Sequence, residues 1–183
     1  GDTPLRLDIV PPKDPRGVYL AGSILDRDGL TRWLAGVDSV VHMAAWHGIH
    51  ETARHKDVSA FWDLNVTGTF NVFEAAHRNG VKRILFPTSN HATGYYLRDQ
   101  TIDHRVYPKP DGRYGVSKVF GEALGSLYAD KYGMQMFCIR VGNVNPVPID
   151  KRRLSIWLSP RDLAQLVTIG IEPTSPATGF GYI

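Results

Sequence analysis

Tyr114-Gly115-Val116-Ser117-Lys118 sets a tyrosine and a lysine four residues apart at the start of an apolar-periodic stretch that runs to Tyr132. On a helix one turn separates them, so both side chains leave the same face. A phenol, with an ordinary pKa of about 10, is a poor base at neutral pH, but an ammonium group held beside it favours the phenolate. The pair is therefore a candidate general base for taking a proton from an alcohol. The bland alternative is an amphipathic helix whose lysine stem lies along apolar surface. The surrounding chain decides between the two.

Working outward, Gly133 stops this helix and residues 134–141 read as a buried strand. Before the helix lie a Pro- and Asp-rich connection (107–112), a loop (90–96) and a strand (82–89). Phe61, Leu64, Phe73 and Ala76 recur at helical spacing over residues 58–78, and Gly80 ends that helix. The run Val40-Val41-His42-Met43-Ala44-Ala45 does not alternate, as expected of a parallel strand buried on both faces. The polar, His-rich residues 46–57 read as a surface loop or lid. Further strands are expected at 5–10 and 17–21 and a helix at 29–34. Ser159-Pro160-Arg161-Asp162 opens a last helix with a serine cap and proline at the first position.

Strands alternating with helices predict an α/β fold, a Rossmann-type doubly wound parallel sheet, in a single domain over residues 1–183. A dinucleotide-binding sheet normally opens with a strand and a Gly-rich turn whose amides hold pyrophosphate. No such turn precedes Leu5. The first strand and its turn are thus expected to be missing, and the 183 residues to be part of a longer polypeptide.

A composition of 43% hydrophobic and 21% charged residues suits an ordinary globular domain. The charge of +3 is mild and Lys151-Arg152-Arg153 is the densest basic cluster, without interleaved aromatics, so nucleic acid is set aside as a partner. The single cysteine, Cys138, lies in an apolar run and is expected to be a buried thiol, in keeping with a reducing cytoplasm. No apolar stretch approaches the ~20 residues of a membrane span, and no signal segment opens the chain. His47 and His50 have metal-ligand spacing but no carboxylate and cysteine cluster with them; a loop facing solvent or substrate is expected there, with no metal.

Several features occur together in order: Ser89 at a strand end about two dozen residues before Tyr-x-x-x-Lys, Asn65 within Asn65-Val66-Thr67-Gly68-Thr69, the strand His42-Met43-Ala44-Ala45, and Arg140-Val141-Gly142-Asn143-Val144 after the Tyr helix. In these the chain resembles the extended short-chain dehydrogenase/reductase family, that of the NAD-dependent epimerases and dehydratases, from residue 5 to about 170. Within that family it is similar to the bacterial uronate dehydrogenases at Ser89-Asn90-His91, Gly94-Tyr95-Tyr96, Pro110-Asp111-Gly112-Arg113-Tyr114, Phe120-Gly121-Glu122, and at Arg152, Trp157, Leu158 and Ser159. The resemblance implies oxidation of a sugar acid at its anomeric carbon to a lactone, with NAD as hydride acceptor. It implies that Tyr114 is the base, that Lys118 lowers its pKa and holds the nicotinamide ribose, and that Ser89 directs the reacting oxygen, with Thr88 as a neighbouring stand-in. Asn65 would hold a water or backbone contact near the lysine.

Asp8 would receive the adenosine ribose hydroxyls, and its charge would repel a 2'-phosphate, favouring NAD over NADP. Ser23 and Ile24 fall where many relatives contact adenine through an Asp, so Ser23 is a departure; Met43, Ala44 and Ala45 would line the cofactor. On the substrate side Arg152 would grip a carboxylate with two parallel hydrogen bonds. Asn90 and His91 would reach sugar hydroxyls. Asn143 stands where the uronate enzymes carry Ser and matches the epimerase pattern Arg-x-x-Asn-Val. Residues 147–183 would contribute to the substrate side as a remnant of a C-terminal lobe, and the Asn65 and Tyr114 helices would join copies in a homo-oligomer. The bland alternatives are a strand-end cap for Ser89, a turn residue for Asp8, core for Met43 to Ala45 and an exposed basic residue for Arg152.

Two other functions stand beside this one. A nucleotide-sugar epimerase or dehydratase would keep NAD tightly bound, release no net NADH and call for a large C-terminal lobe. A catalytically silent NAD-binding regulator would be marked by loss of the Tyr or the Lys, and both are present.

Overall fold

The structure, a computed structural model, describes residues 3–14, 16–47, 58–172 and 180–182. In chain order the elements are β1 (Leu5–Asp8), β2 (Val18–Ala21), α1 (Arg27–Trp33), β3 (Ser39–Val41), α2 (Val58–Trp62), α3 (Thr69–Arg78), β4 (Arg83–Pro87), α4 (Arg113–Tyr132), β5 (Gln135–Ile139), β6 (Asn143–Val144), β7 (Trp157–Leu158), α5 (Pro160–Ile171) and β8 (Phe180–Tyr182). Every strand pair is parallel. β3, β4, β5 and β8 form one sheet in that order, β1 pairs with β2, and β6 with β7. Each neighbour in the four-stranded sheet is reached through a helical crossover, as parallel pairing requires.

The side-chain period of two explains the layers. Ile84 and Phe86 of β4, with Met136 and Cys138 of β5, face a core built from Leu30 and Leu34 at the α1 end, Phe73 and Ala76 of α3, and Leu124 and Tyr128 of α4. Leu85, Phe137 and Ile139 face the other way, against Leu166, Val167 and Ile171 of α5. Helices on both faces make the sheet doubly wound, and account for strand sequences apolar throughout. Burying each large side chain contributes about 1.5–3 kcal/mol. α4 comes close to β4 because Gly121 carries no Cβ; one there would lie 2.3 Å from the Phe86 ring. Gly133 ends α4 with φ +66°, its N–H bonding back to the Ala129 and Tyr128 carbonyls.

Two expectations are corrected. The run 40–45 is not a strand buried on both faces: β3 stops at Val41, His42 makes a last bond to the Leu85 carbonyl, and Met43, 68% exposed, and Ala44 lie beyond the sheet edge. The helix expected over 58–78 is interrupted by a π-helical turn, Asp63–Gly68, which carries Asn65. Widened turns of this kind often mark sites where a side chain has been re-aimed. Of the His-rich loop, residues 48–57, with His50, lie outside the described residues. Cys138 is buried, and burial pushes its thiol pKa up. Among the described residues no helix is long and apolar enough to cross a membrane.

Candidate active site

The start of α4 is pressed against the one-turn helix Asn90–Thr93 that follows β4. Gly115 permits this, since a Cβ there would fall 2.2 Å from the His91 carbonyl oxygen. Tyr114 is thereby buried, 8% exposed, with its ring against those of His47, His91 and Phe61, at centroid distances of 5.1, 5.8 and 6.3 Å. Ser89 lies near enough for its hydroxyl to pull the Tyr114 pKa down against the effect of burial. Ser89 also caps its own turn, its Oγ accepting from the His91 N–H at 3.1 Å. The strand-end cap expected of Ser89 is thus present.

Lys118 is also buried. Its Nζ donates to the Pro87 carbonyl at 2.8 Å and sits 4.7 Å from the Phe86 ring centroid and 5.6 Å from that of Tyr114. Burial pulls the lysine pKa down to about 8. The tyrosine behaves differently from the expectation that Lys118 would lower its pKa: burial raises it, and the opposing influence is the Ser89 hydroxyl. The physical reason is that withdrawal from water disfavours the phenolate, while the ammonium is bonded to Pro87.

Thr88 is corrected as a stand-in hydroxyl. It donates at 2.7 Å to Oε1 of Glu122, which is buried and held by Arg140 through two bonds of 3.0 and 2.8 Å. This network ties the ends of β4 and β5 to α4. Asn65 accepts from the Trp46 N–H at 2.7 Å and donates to the Trp46 carbonyl at 2.9 Å and to Ser117 Oγ at 3.1 Å. Ser117 in turn donates to the Tyr114 carbonyl at 2.7 Å. His42 lies between Phe73 and Phe86 with Nε2 3.0 Å from the Thr69 hydroxyl. Burial first, then the Lys118 charge, lowers its pKa to about 3, so it is neutral.

The residues expected to meet a dinucleotide each follow or end a parallel strand at its C-terminal end, where open α/β sheets take ligands. Asp8 ends β1, is exposed, and accepts from the Val10 N–H at 3.0 Å, a turn contact that involves one carboxylate oxygen. Ser23, just beyond β2, caps the next turn through the Leu25 N–H at 3.2 Å, while the Ile24 side chain is buried and its carbonyl accepts from Asn71. Met43 and Ala44 are exposed and Ala45 half-buried beyond β3, so they are not core residues.

On the substrate side a cavity of about 290 Å³ is lined by Asn90, Arg140, Gly142, Ser155, Ile156 and Trp157, among others. Arg152 opens the turn Arg152–Ile156 that supplies part of this wall; it is exposed, and its guanidinium has no hydrogen-bond or ion-pair partner among the described residues. Asn143 lies in β6 opposite Trp157 and accepts from Asn145. The side chain that sequence reading missed is Asp111, which holds His91 Nδ1 at 2.8 and 3.0 Å through its two oxygens. Its partner lies twenty residues earlier, so no local spacing pointed to it. Among the described residues no three His, Cys, Asp or Glu side chains gather as a metal site would need.

A parallel doubly wound sheet with a Ser, Tyr and Lys toward its C-terminal edge has the fold of the short-chain dehydrogenase type. Over residues 11–146 the sequence matches the NAD dependent epimerase/dehydratase family, and the chain belongs to that family. It is similar to a uronate dehydrogenase of Pseudomonas syringae pv. tomato, 38% identical over 144 residues, which are 79% of this chain and 50% of the relative. It is also similar to an L-arabinose 1-dehydrogenase (NAD(P)(+)) of Haloferax volcanii, 32% identical over 84% of this chain and 67% of that one. Among solved structures, a mutant uronate dehydrogenase from Agrobacterium tumefaciens complexed with NAD superposes with a TM-score of 0.87 at 31% identity, covering 98% of this chain and 65% of the other. The chain spans about half the length of the Pseudomonas relative.

Proposed function

We propose that the protein to which these residues belong is an NAD-dependent dehydrogenase that oxidises a uronate at its anomeric carbon to the lactone. The observation that carries this reading is the buried Tyr114 with the Ser89 hydroxyl beside it, close enough to act on its pKa, and the buried Lys118 one turn along the same helix. The donor set at the strand ends fits the cofactor: an exposed carboxylate at Asp8 for ribose hydroxyls, and small or flexible side chains at the exposed Met43 and Ala44 and the half-buried Ala45 where a flat ring system could lie. NAD, when bound, supplies the hydride acceptor. Tyr114 takes the proton of the anomeric hydroxyl as the hydride leaves the same carbon, so one hydroxyl O–H and one C–H bond break and the carbonyl of the lactone forms. Ser89 directs the reacting oxygen and is the group that offsets the effect of burial on the Tyr114 phenol, while Lys118, one turn on, holds the nicotinamide ribose. Asn65 supports the site by fixing Trp46 and, through Ser117, the first turn of α4.

Asn90 and His91 bind sugar hydroxyls, Asn143 stands nearby at β6, and Arg152 clamps the carboxylate; that its guanidinium has no partner among the described residues supports this role. Residues 147–183 contribute the substrate side of a single domain, supported by the cavity that Ser155 and Trp157 share with Asn90. A homo-oligomer belongs to the reading: Trp62 and Phe70, with Val116 and Leu127 of α4, leave apolar area exposed. So does a cytoplasmic setting, supported by the buried free thiol of Cys138. The second reading, a nucleotide-sugar epimerase, is favoured by Asn143 alone.

The test is NADH formation by the full-length protein from NAD with galacturonate, glucuronate or L-arabinose. Turnover of a uronate that vanishes in Tyr114→Phe, with an Arg152→Ala variant that raises KM for uronate and not for arabinose, is expected. Turnover of arabinose alone, or none with retained NAD, overturns the uronate assignment.

A further inference from the structure

Asp111 belongs to the connection before α4, and three contacts stitch that connection to the turn bearing His91. The Asp111 N–H donates to the His91 carbonyl at 3.3 Å, the Lys109 N–H to Ala92 at 2.9 Å, and the Tyr95 N–H to Lys109 at 3.0 Å. Room for the carboxylate is made at Gly94, where a Cβ would lie 2.1 Å from Asp111 Oδ2. The His91 side chain is 41% exposed and that of Asp111 31%. An ion pair so open to solvent adds little to stability, so a built cradle around it calls for another reason.

That reason is direction. An ionised carboxylate only accepts hydrogen bonds, so Nδ1 of His91 is the donor toward Asp111 and, in the neutral ring, Nε2 is left as an acceptor. Nε2 makes no hydrogen bond to any described residue, while the ring stands edge-on to Tyr114 at 5.8 Å. We infer that Asp111 is a positioning residue that holds His91 in the Nδ1–H tautomer, so that Nε2 accepts a hydrogen bond from a substrate hydroxyl beside the carbon oxidised at Tyr114. The inference rests on the dehydrogenase reading for its substrate, and not for the tautomer. It deepens the specificity of the site: a polyhydroxylated sugar donates to Nε2, and an analogue lacking that hydroxyl leaves the nitrogen unpaired.

The experiment uses the full-length protein with 15N-labelled histidine. His91 is assigned by its loss in His91→Ala, and ring-nitrogen spectra are recorded at pH 8.5, alongside uronate kinetics. In the unaltered protein His91 is expected as the Nδ1–H tautomer, changing to Nε2–H in Asp111→Ala. The same variant is expected to raise KM about tenfold, the scale of one hydrogen bond, with a smaller fall in kcat. In His91→Ala, adding Asp111→Ala is expected to change KM no further, because Asp111 acts through the ring. A wild-type ring that is Nε2–H or doubly protonated at that pH overturns the proposal, as does an unchanged KM or an additive double variant. If no uronate is oxidised, the substrate reading fails, and the nitrogen spectra still decide whether Asp111 sets the tautomer.

Discussion

Lys118 Nζ donates to the carbonyl oxygen of Pro87 at 2.8 Å, linking α4 to the last residue of β4. A pH dependence of the reaction follows from that buried ammonium, whose pKa lies at about 8, and the raised pKa of Tyr114 beside it.

The productive arrangement, phenolate with ammonium, holds one proton fewer than the fully protonated pair. It has the same proton count as phenol with neutral amine, so its population follows removal of the pair's first proton. That proton is lost near pH 8. The oxidation rate at saturating substrate is expected to rise about tenfold per pH unit below 8 and to level off above it. Lys118→Met should remove most of the activity and carry the rising limb past pH 8, because the phenol, whose pKa is raised by burial, must then lose its proton alone. A rate already flat between pH 6.5 and 8 would contradict this account.

His42 makes the fold acid-sensitive. Its folded pKa of about 3 lies below the ordinary 6.5, so the neutral ring stabilises the fold. That contribution is whole above pH 6.5 and is lost as pH falls from 6.5 toward 3, where the unfolded chain binds one more proton. The slope is about 1.4 kcal/mol per pH unit. Urea midpoints between pH 5 and 6.5 should fall steeply for the natural sequence and less steeply for His42→Gln, which keeps a polar group for the Thr69 hydroxyl.

Removing Glu122 is expected to be costly. Its carboxylate is 2% exposed and serves both Arg140 and Thr88. Glu122→Ala breaks this ion pair at its buried carboxylate and takes the acceptor from the Thr88 hydroxyl, and should destabilise by about 3–5 kcal/mol. Chemical denaturation measures it; a loss below about 1 kcal/mol would mean that water replaces the carboxylate.

The pattern of residues alone carried the architecture. Apolar runs without alternation in β4 and β5, helical spacing around Phe73, and caps at Ser159 and Gly133 are local consequences of backbone geometry and burial, so they can be read in one dimension. The same holds for Tyr114 and Lys118, which share a helix face because four residues make about one turn. Tertiary structure decided what depends on proximity between distant segments. The Asp111–His91 pair, the Thr88–Glu122–Arg140 network and the contact of Asn65 with Trp46 join residues nineteen or more positions apart, except for Glu122 with Arg140 at eighteen. The protonation of the site also belongs to the folded state. A lysine four residues from a tyrosine announces a lowered phenol pKa, but burial acts on every charge in the site, and in this protein it raises the tyrosine and lowers the lysine.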